Sequence, residues 1–181
     1  MAYGEVENER SMSHIQTSNG GFAAVGYTTS FGEINGDILL SKFNSEGTLS
    51  WSRKWGGASN IDWAYSLIQT SDGGFAITGY TVSFGAGNAD VLLVKFTSDG
   101  NLSWSKTWGG TDNDNVISIV QTNDGGLVVT GGTYSFGGAS NNVFISKYTN
   151  DGTLSWSKTW GGTAYDSASS VIQTSDGGFL L

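Results

Sequence analysis

The sequence predicts an all-β protein made of repeated four-stranded sheets, and three observations carry that prediction. Two phrases recur along the 181 residues at steps of 53, 52 and 52. Trp-Gly-Gly falls at Trp55-Gly56-Gly57, Trp108-Gly109-Gly110 and Trp160-Gly161-Gly162. Aliphatic-Gln-Thr falls at Ile15-Gln16-Thr17, Ile68-Gln69-Thr70, Val120-Gln121-Thr122 and Ile172-Gln173-Thr174. A fixed period in this range is one supersecondary unit copied along the chain. The second observation is punctuation: 28 glycines and no proline, with Gly, Asn, Asp, Ser and Thr clustered between short apolar runs, read as many turns and many short strands. The third is the runs themselves, which are too short and too rich in β-branched and aromatic residues for helices.

One copy, from Asp62 to Trp108, shows the four strands in order. Strand A is Ser66-Leu67-Ile68-Gln69-Thr70, closed by the turn Ser71-Asp72-Gly73-Gly74, where glycine supplies positive φ. Strand B is Phe75 to Thr81. A longer loop, Val82 to Ala89, leads to strand C, Asp90 to Phe96, which is apolar on both faces as a strand covered on both sides must be. The turn Ser98-Asp99-Gly100 leads to strand D, Asn101 to Trp108. Four strands per unit of about fifty residues is the pattern of a β-propeller, whose small twisted sheets cover one another face to face around an axis. The expected organisation is a single repeat domain, 1–181, with blades at 11–57, 62–110 and 114–162 and a partial fourth at 166–181.

The phrase Trp104-Ser105-Lys106-Thr107-Trp108-Gly109-Gly110, then Asp114, then Val120-Gln121-Thr122-Asn123-Asp124-Gly125-Gly126, then Val129-Thr130-Gly131, resembles the tandem β-propeller repeats of bacteria and archaea termed SBBP-type. Its strand phase is also similar to that of NHL propellers. The resemblance runs from about Tyr3 to Leu181. It implies a propeller fold and an extracellular or cell-surface setting, while such families host lectins, lyases, hydrolases and plain scaffolds alike.

Composition narrows the partners. Eight basic against 16 acidic residues give a net charge of −8, and the cations are spread out, so nucleic acid and anionic membrane are not expected partners. There is no cysteine, hence no disulfide framework and no Cys-ligated metal. No apolar run approaches 18 residues, so no membrane insertion by a helix is expected. The opening MAYGEVENER lacks the form of a secretory signal. Three full units and a partial one are short of the four to eight blades of a propeller. The expected partner is therefore a second copy, in a homodimer closing a ring of six or eight positions.

Repeated positions are read with their structural alternatives. Strand D places two indoles and a cation on one face, with Arg53, Lys106 and Lys158 between the paired tryptophans. Trp51, Trp104 and Trp156 are candidate ligand contacts in a flat aromatic platform, or simply sheet packing with the cation stems lying on the rings. Asn35, Asn88 and Asn141 sit in the B–C loops, where a rigid scaffold would display a binding surface. Phe31, Phe84 and Phe136 recur in Ser-Phe-Gly and are expected to anchor those loops. Lys42, Lys95 and Lys147 interrupt the apolar strand C and call for carboxylates. Glu9, Asp62, Asp114 and Asp166 recur just before strand A, and are expected to pair with those lysines or to cap nearby loops.

No catalytic centre is legible. His14 is the sole histidine and has no nucleophile motif beside it. No phosphate loop, HExxH or GxSxG occurs. Thr111-Asp112-Asn113-Asp114-Asn115 lacks the later glutamate of an EF-hand loop. No cofactor or metal is expected. The reading is a non-catalytic module acting as a binding or assembly scaffold. A lectin-like glycan binder is the first alternative, and a polysaccharide lyase or hydrolase the second. An enzyme would need one unit that departs from the others, and the copies are nearly alike.

Overall fold

The computed structural model describes residues 8–30, 36–57 and 61–181. Among these residues the regular structure is all strand. Three four-stranded antiparallel sheets follow one another in the chain. The first holds β1 (Glu9–Gln16), β2 (Phe22–Thr28), β3 (Asp37–Phe43) and β4 (Leu49–Trp55). The second holds β5 (Asp62–Gln69), β6 (Phe75–Thr81), β7 (Asp90–Phe96) and β8 (Leu102–Trp108). The third holds β9 (Asp114–Gln121), β10 (Leu127–Thr133), β11 (Asn142–Tyr148) and β12 (Leu154–Trp160). A strand pair, β13 (Ile172–Gln173) and β14 (Phe179–Leu180), follows.

Each sheet is a meander, each strand pairing with its sequence neighbour. The tight turns are set by side chains as well as by glycine. In the β5–β6 turn, Thr70 Oγ1 donates to Asp72 Oδ1 at 2.6 Å, the Gly74 N–H donates to the same oxygen at 3.0 Å, and Gly73 takes φ of 80°. That oxygen mimics a backbone acceptor and locks the reversal. Each first strand carries one bulge, between Ser11 and Ser13, between Ala64 and Ser66, and in β9 opposite Thr130 and Gly131. The bulge pushes a carbonyl at the facing strand, where only glycine leaves room. A side chain on Gly79 would begin 1.8 Å from the Trp63 carbonyl oxygen.

The sheets stack in chain order. β5 packs against β1, β2 and β3, and β9 against β5, β6 and β7, so the first strand of each sheet lies on the first three strands of the sheet before it. One core fills the space between sheets one and two, around Leu40, Phe75 and Leu92. Another fills the space between sheets two and three, around Leu93, Leu127 and Phe144. Val171 and Phe179, from the chain after β12, rest on Val128 and Ile145 of the third sheet. All seven residues of β7 are buried, because both faces of the second sheet are covered. Burying Phe75 or Phe144 completely contributes about 2–3 kcal/mol each relative to exposure.

Candidate functional site

The repeated polar and aromatic residues gather at the junctions between sheets. Gln69 Oε1 accepts the Ser18 N–H at 2.7 Å, Gln121 Oε1 the Ser71 N–H at 2.8 Å, and Gln173 Oε1 the Asn123 N–H at 2.8 Å. The same glutamine amides donate into their own turns, to the carbonyls of Gly73, Gly125 and Gly177. The Gln of the recurring Ile-Gln-Thr phrase therefore ties two consecutive turns together. Sequence reasoning saw the phrase and assigned the glutamine no role.

The tryptophans of the fourth strands are junction residues. Trp51 lies over Gly100 in the next sheet's turn and meets Phe75 edge-on at 5.7 Å. Trp104 lies over Gly152, and its Nε1–H donates to the Asn150 carbonyl at 3.1 Å. Trp156 meets Phe179 at 5.9 Å. Arg53 stacks on Trp51 and donates through Nε to the Gly100 carbonyl at 2.8 Å, and Lys158 stands 6.0 Å over Trp156. These rings face the neighbouring sheet, so the aromatic platform is used within the stack. Phe84 rests on Trp55 at 5.3 Å and Phe136 on Trp108 at 5.1 Å, anchoring the B–C loops of the second and third sheets to the sheet before each. Trp160 is 45% exposed.

The three loop asparagines are not equivalent. Asn88 is exposed. Asn141 is buried, and its Nδ2 donates to the Asp166 carbonyl at 2.7 Å. It stands one register step nearer the following strand than Asn88, at the position Ala89 fills in the second sheet, where side chains point inward. Asn35 and Phe31, with residues 32–34, lie outside the described residues.

Strand-C lysines take partners other than the acids before strand A. Lys95 pairs with Asp72 and Lys147 with Asp124, both in A–B turns. The reason is register. Asp62 opposes Thr81, which opposes Asp90, at one end of the sheet, while Lys95 opposes Ala76 beside the A–B turn at the other. In the first sheet the turn residue is Asn19, and Lys42 makes no ion pair among the described residues. Burial pushes the Asp72 carboxyl up, but hydrogen bonds from Lys95, Thr70 and Gly74 and the Lys95 charge outweigh it and hold it at about 2. Hydrogen bonds from Lys147, Thr122 and Gly126 hold Asp124 well below the usual carboxylate range.

The acids before strand A cap loops. Asp62 accepts from Thr81 and, through Oδ2, from Ser83 Oγ at 2.7 Å and the Gly57 N–H at 2.8 Å. Asp114 repeats this with Thr133, Ser135 and Gly110, Asp166 accepts from Gly162, and Glu9 accepts from Thr28. Beside them stand Asp37, Asp90 and Asn142, the first residues of the third strands, which sequence reasoning did not single out. The first glycine of each Trp-Gly-Gly separates the two. A side chain on Gly109 would begin 2.0 Å from Asp90 Oδ1 and 2.6 Å from Asp114 Oδ2.

Among the described residues no cluster of three His, Cys, Asp or Glu could hold a metal, and no helix is long and apolar enough to cross a membrane. Among the described residues, an open cleft of about 480 Å³ lies between the β8–β9 and β10–β11 loops, lined by Asp112, Asn113, Tyr134, Gly138 and Ala139. Tyr165, 66% exposed, meets Tyr134 edge-on at 6.5 Å.

No family model matches the chain. Over 147 residues it is 29% identical to the regulatory protein FlaEY of Caulobacter vibrioides (strain ATCC 19089 / CIP 103742 / CB 15), an alignment that covers 73% of this chain. The chain spans about 15% of the length of that relative.

Proposed function

We propose that this chain is a β-propeller repeat module, a non-catalytic binding or assembly scaffold whose sheets complete a ring with those of a second copy. The observation that carries the reading is that each sheet is joined to the next by one set of contacts. Glutamine to turn N–H recurs at 2.7, 2.8 and 2.8 Å. The fourth-strand tryptophan of one sheet lies over a turn glycine of the next in both full junctions. A stack that repeats one operation presents, on its first sheet, a face of the kind that the other sheets cover. Phe22 is 44% exposed, whereas Phe75 and Leu127, at the same position in sheets two and three, are fully buried. Ile172 and Leu180 are exposed on the strand pair. Apolar faces of this kind mark interaction surfaces. An extracellular or cell-surface setting is part of this reading and comes from the repeat resemblance.

Light scattering coupled to size exclusion tests it. The expected mass is twice that of the 19.0 kDa chain. Phe22→Asp is expected to return the protein to a folded monomer. A wild-type chain that stays monomeric across the concentration range would end the ring reading.

The cleft supports a second reading, a glycan-binding surface. Tyr134 offers an aromatic face beside the polar groups of Asp112 and Asn113, with Tyr165 edge-on to it, a mix suited to a sugar's apolar and hydroxyl faces. Binding on a glycan array that disappears in Tyr134→Ala, with the fold retained by circular dichroism, would support it. An array on which no glycan binds would remove it.

A further inference from the structure

The paired side chains beside the Trp-Gly-Gly glycines differ among the three junctions in one property, their charge balance. In the first, Asp37 stands beside Asp62, and Lys54 Nζ meets Asp37 Oδ2 at 2.8 Å. In the third, Asn142 stands beside Asp166 and carries no charge. In the second, Asp90 stands beside Asp114, and the residue matching Lys54 is Thr107. The first junction holds two acids and a cation, the third one acid, and the second two acids with no cation in the Lys54 place.

Both second-junction acids are buried, Asp90 at 1% and Asp114 at 0% exposure. Two carboxylates that border one gap out of water do not both readily keep their charge without a counter-ion. Hydrogen bonding shows where a proton fits. The Gly87 N–H donates to Asp90 Oδ2 at 3.1 Å, and the Ala86 N–H also donates to this carboxyl. Asp90 Oδ1 faces the other way, toward Gly109 and Asp114 Oδ2. The corresponding oxygens in the other junctions, Asp37 Oδ1 and Asn142 Oδ1, are buried with no donor. In the second junction the facing oxygens both belong to carboxyls, and a proton held by Asp90 would let one donate to the other.

We infer that Asp90 and Asp114 form a proton-binding site, with the proton on Asp90 Oδ1 directed at Asp114 Oδ2, and that sheets two and three are fastened by it. Among groups around Asp90, β9 contributes Asp114, the charge that acts on it. The facing strand β6 contributes Thr81, the β8 side contributes Thr107 and Gly109, and the preceding loop contributes the N–H groups of Ala86 and Gly87. Burial, and then the Asp114 charge, push the Asp90 carboxyl up from its usual 3.8. A raised carboxyl value means that the folded chain holds its proton more tightly than the unfolded chain. Its stabilisation is therefore full below about 3.8, declines as pH rises toward the folded value, and is gone above it. The second junction loosens with rising pH. The first keeps Lys54, and the third carries a single acid.

Carbon-13 NMR of the aspartate carboxyls, followed against pH in the full chain, reads the site directly. The Asp90 Cγ midpoint is expected above 3.8. Thr107→Lys, which copies Lys54, is expected to bring it down, and Asp90→Asn, which copies Asn142, is expected to flatten the fall in thermal midpoint across the same pH range. The difference between wild type and Asp90→Asn at the two ends of that range is expected to be about 3 °C or more. An Asp90 midpoint at or below 3.8 overturns the inference, whether or not either variant folds. So does a thermal midpoint that rises with calcium and falls with a chelator, which would place a metal ion between the oxygens.

Discussion

Asp72 serves a turn and a strand at once. Its Oδ1 accepts from Thr70 and Gly74 and closes the A–B reversal, while its Oδ2 takes the Lys95 ammonium that would otherwise stand bare in a buried strand. A carboxyl held at about 2 contributes stability above its ordinary 3.8, and that contribution is lost as pH falls from 3.8 through about 2. Asp72→Asn is expected to remove this part of the acid limb, read as thermal midpoint against pH. An acid limb of unchanged shape would show that the pair carries no linkage. Half of the Asp72 side chain meets solvent, so at neutral pH the loss is expected at about 1 kcal/mol or less. The first sheet offers the reverse experiment, because Lys42 has Asn19 at the matching turn position. Asn19→Asp is expected to raise stability by up to about 1 kcal/mol, with a new acid limb. That a lysine inside strand C needs a carboxylate was legible in the sequence. Which carboxylate it takes was not, because spacing along the chain leaves open which end of a sheet a residue occupies. Only the register places Lys95 beside the A–B turn and Asp62 at the opposite end.

At the scale of the strand, the bulge and the glycine facing it are one device. The extra residue in β5 turns the Trp63 carbonyl into the sheet, and Gly79 leaves room for it. Gly79→Ala is expected to cost about 3 kcal/mol, since backbone has to move, and urea midpoints would measure it. The same substitution at Gly125, whose added side chain would meet nothing, strains only the backbone at φ of 81° and is expected to cost about 1 kcal/mol. Equal costs would mean that the carbonyl, and not φ, is unimportant. Turns, strand order and the double coverage of strand C were readable from glycine placement and apolar runs, which are local signals. The bulges were not, because one extra residue in an eight-residue strand leaves the hydrophobic pattern almost unchanged. Nor was the placing of Asp90 and Asp114, from two sheets, at the gap beside one glycine. Trp104 was legible as an aromatic on a repeated face, and two uses suited it. Its Nε1–H bond to Asn150 and its place over Gly152 give it to the neighbouring sheet.

Across the whole molecule, stability is set by what covers each sheet. A stack in which each sheet meets only its neighbours behaves as a chain of nearest-neighbour couplings. The second sheet is covered on both faces, and β7 is buried throughout. Among the described residues the first sheet is covered on one, and no residue of β1 is buried. Backbone amide exchange is therefore expected to be slowest in β6, β7 and β10 and faster in β1 and in the β13–β14 pair. Equal protection in every sheet would mean that the chain opens as one unit and that coverage does not grade its stability. The same measurement bears on ring completion. If a second copy lies against the first sheet, protection in β1 rises with protein concentration while that in β7, already enclosed, does not. Protection of β1 that stays constant over a hundredfold dilution would leave the internal stack intact and remove the second copy from it.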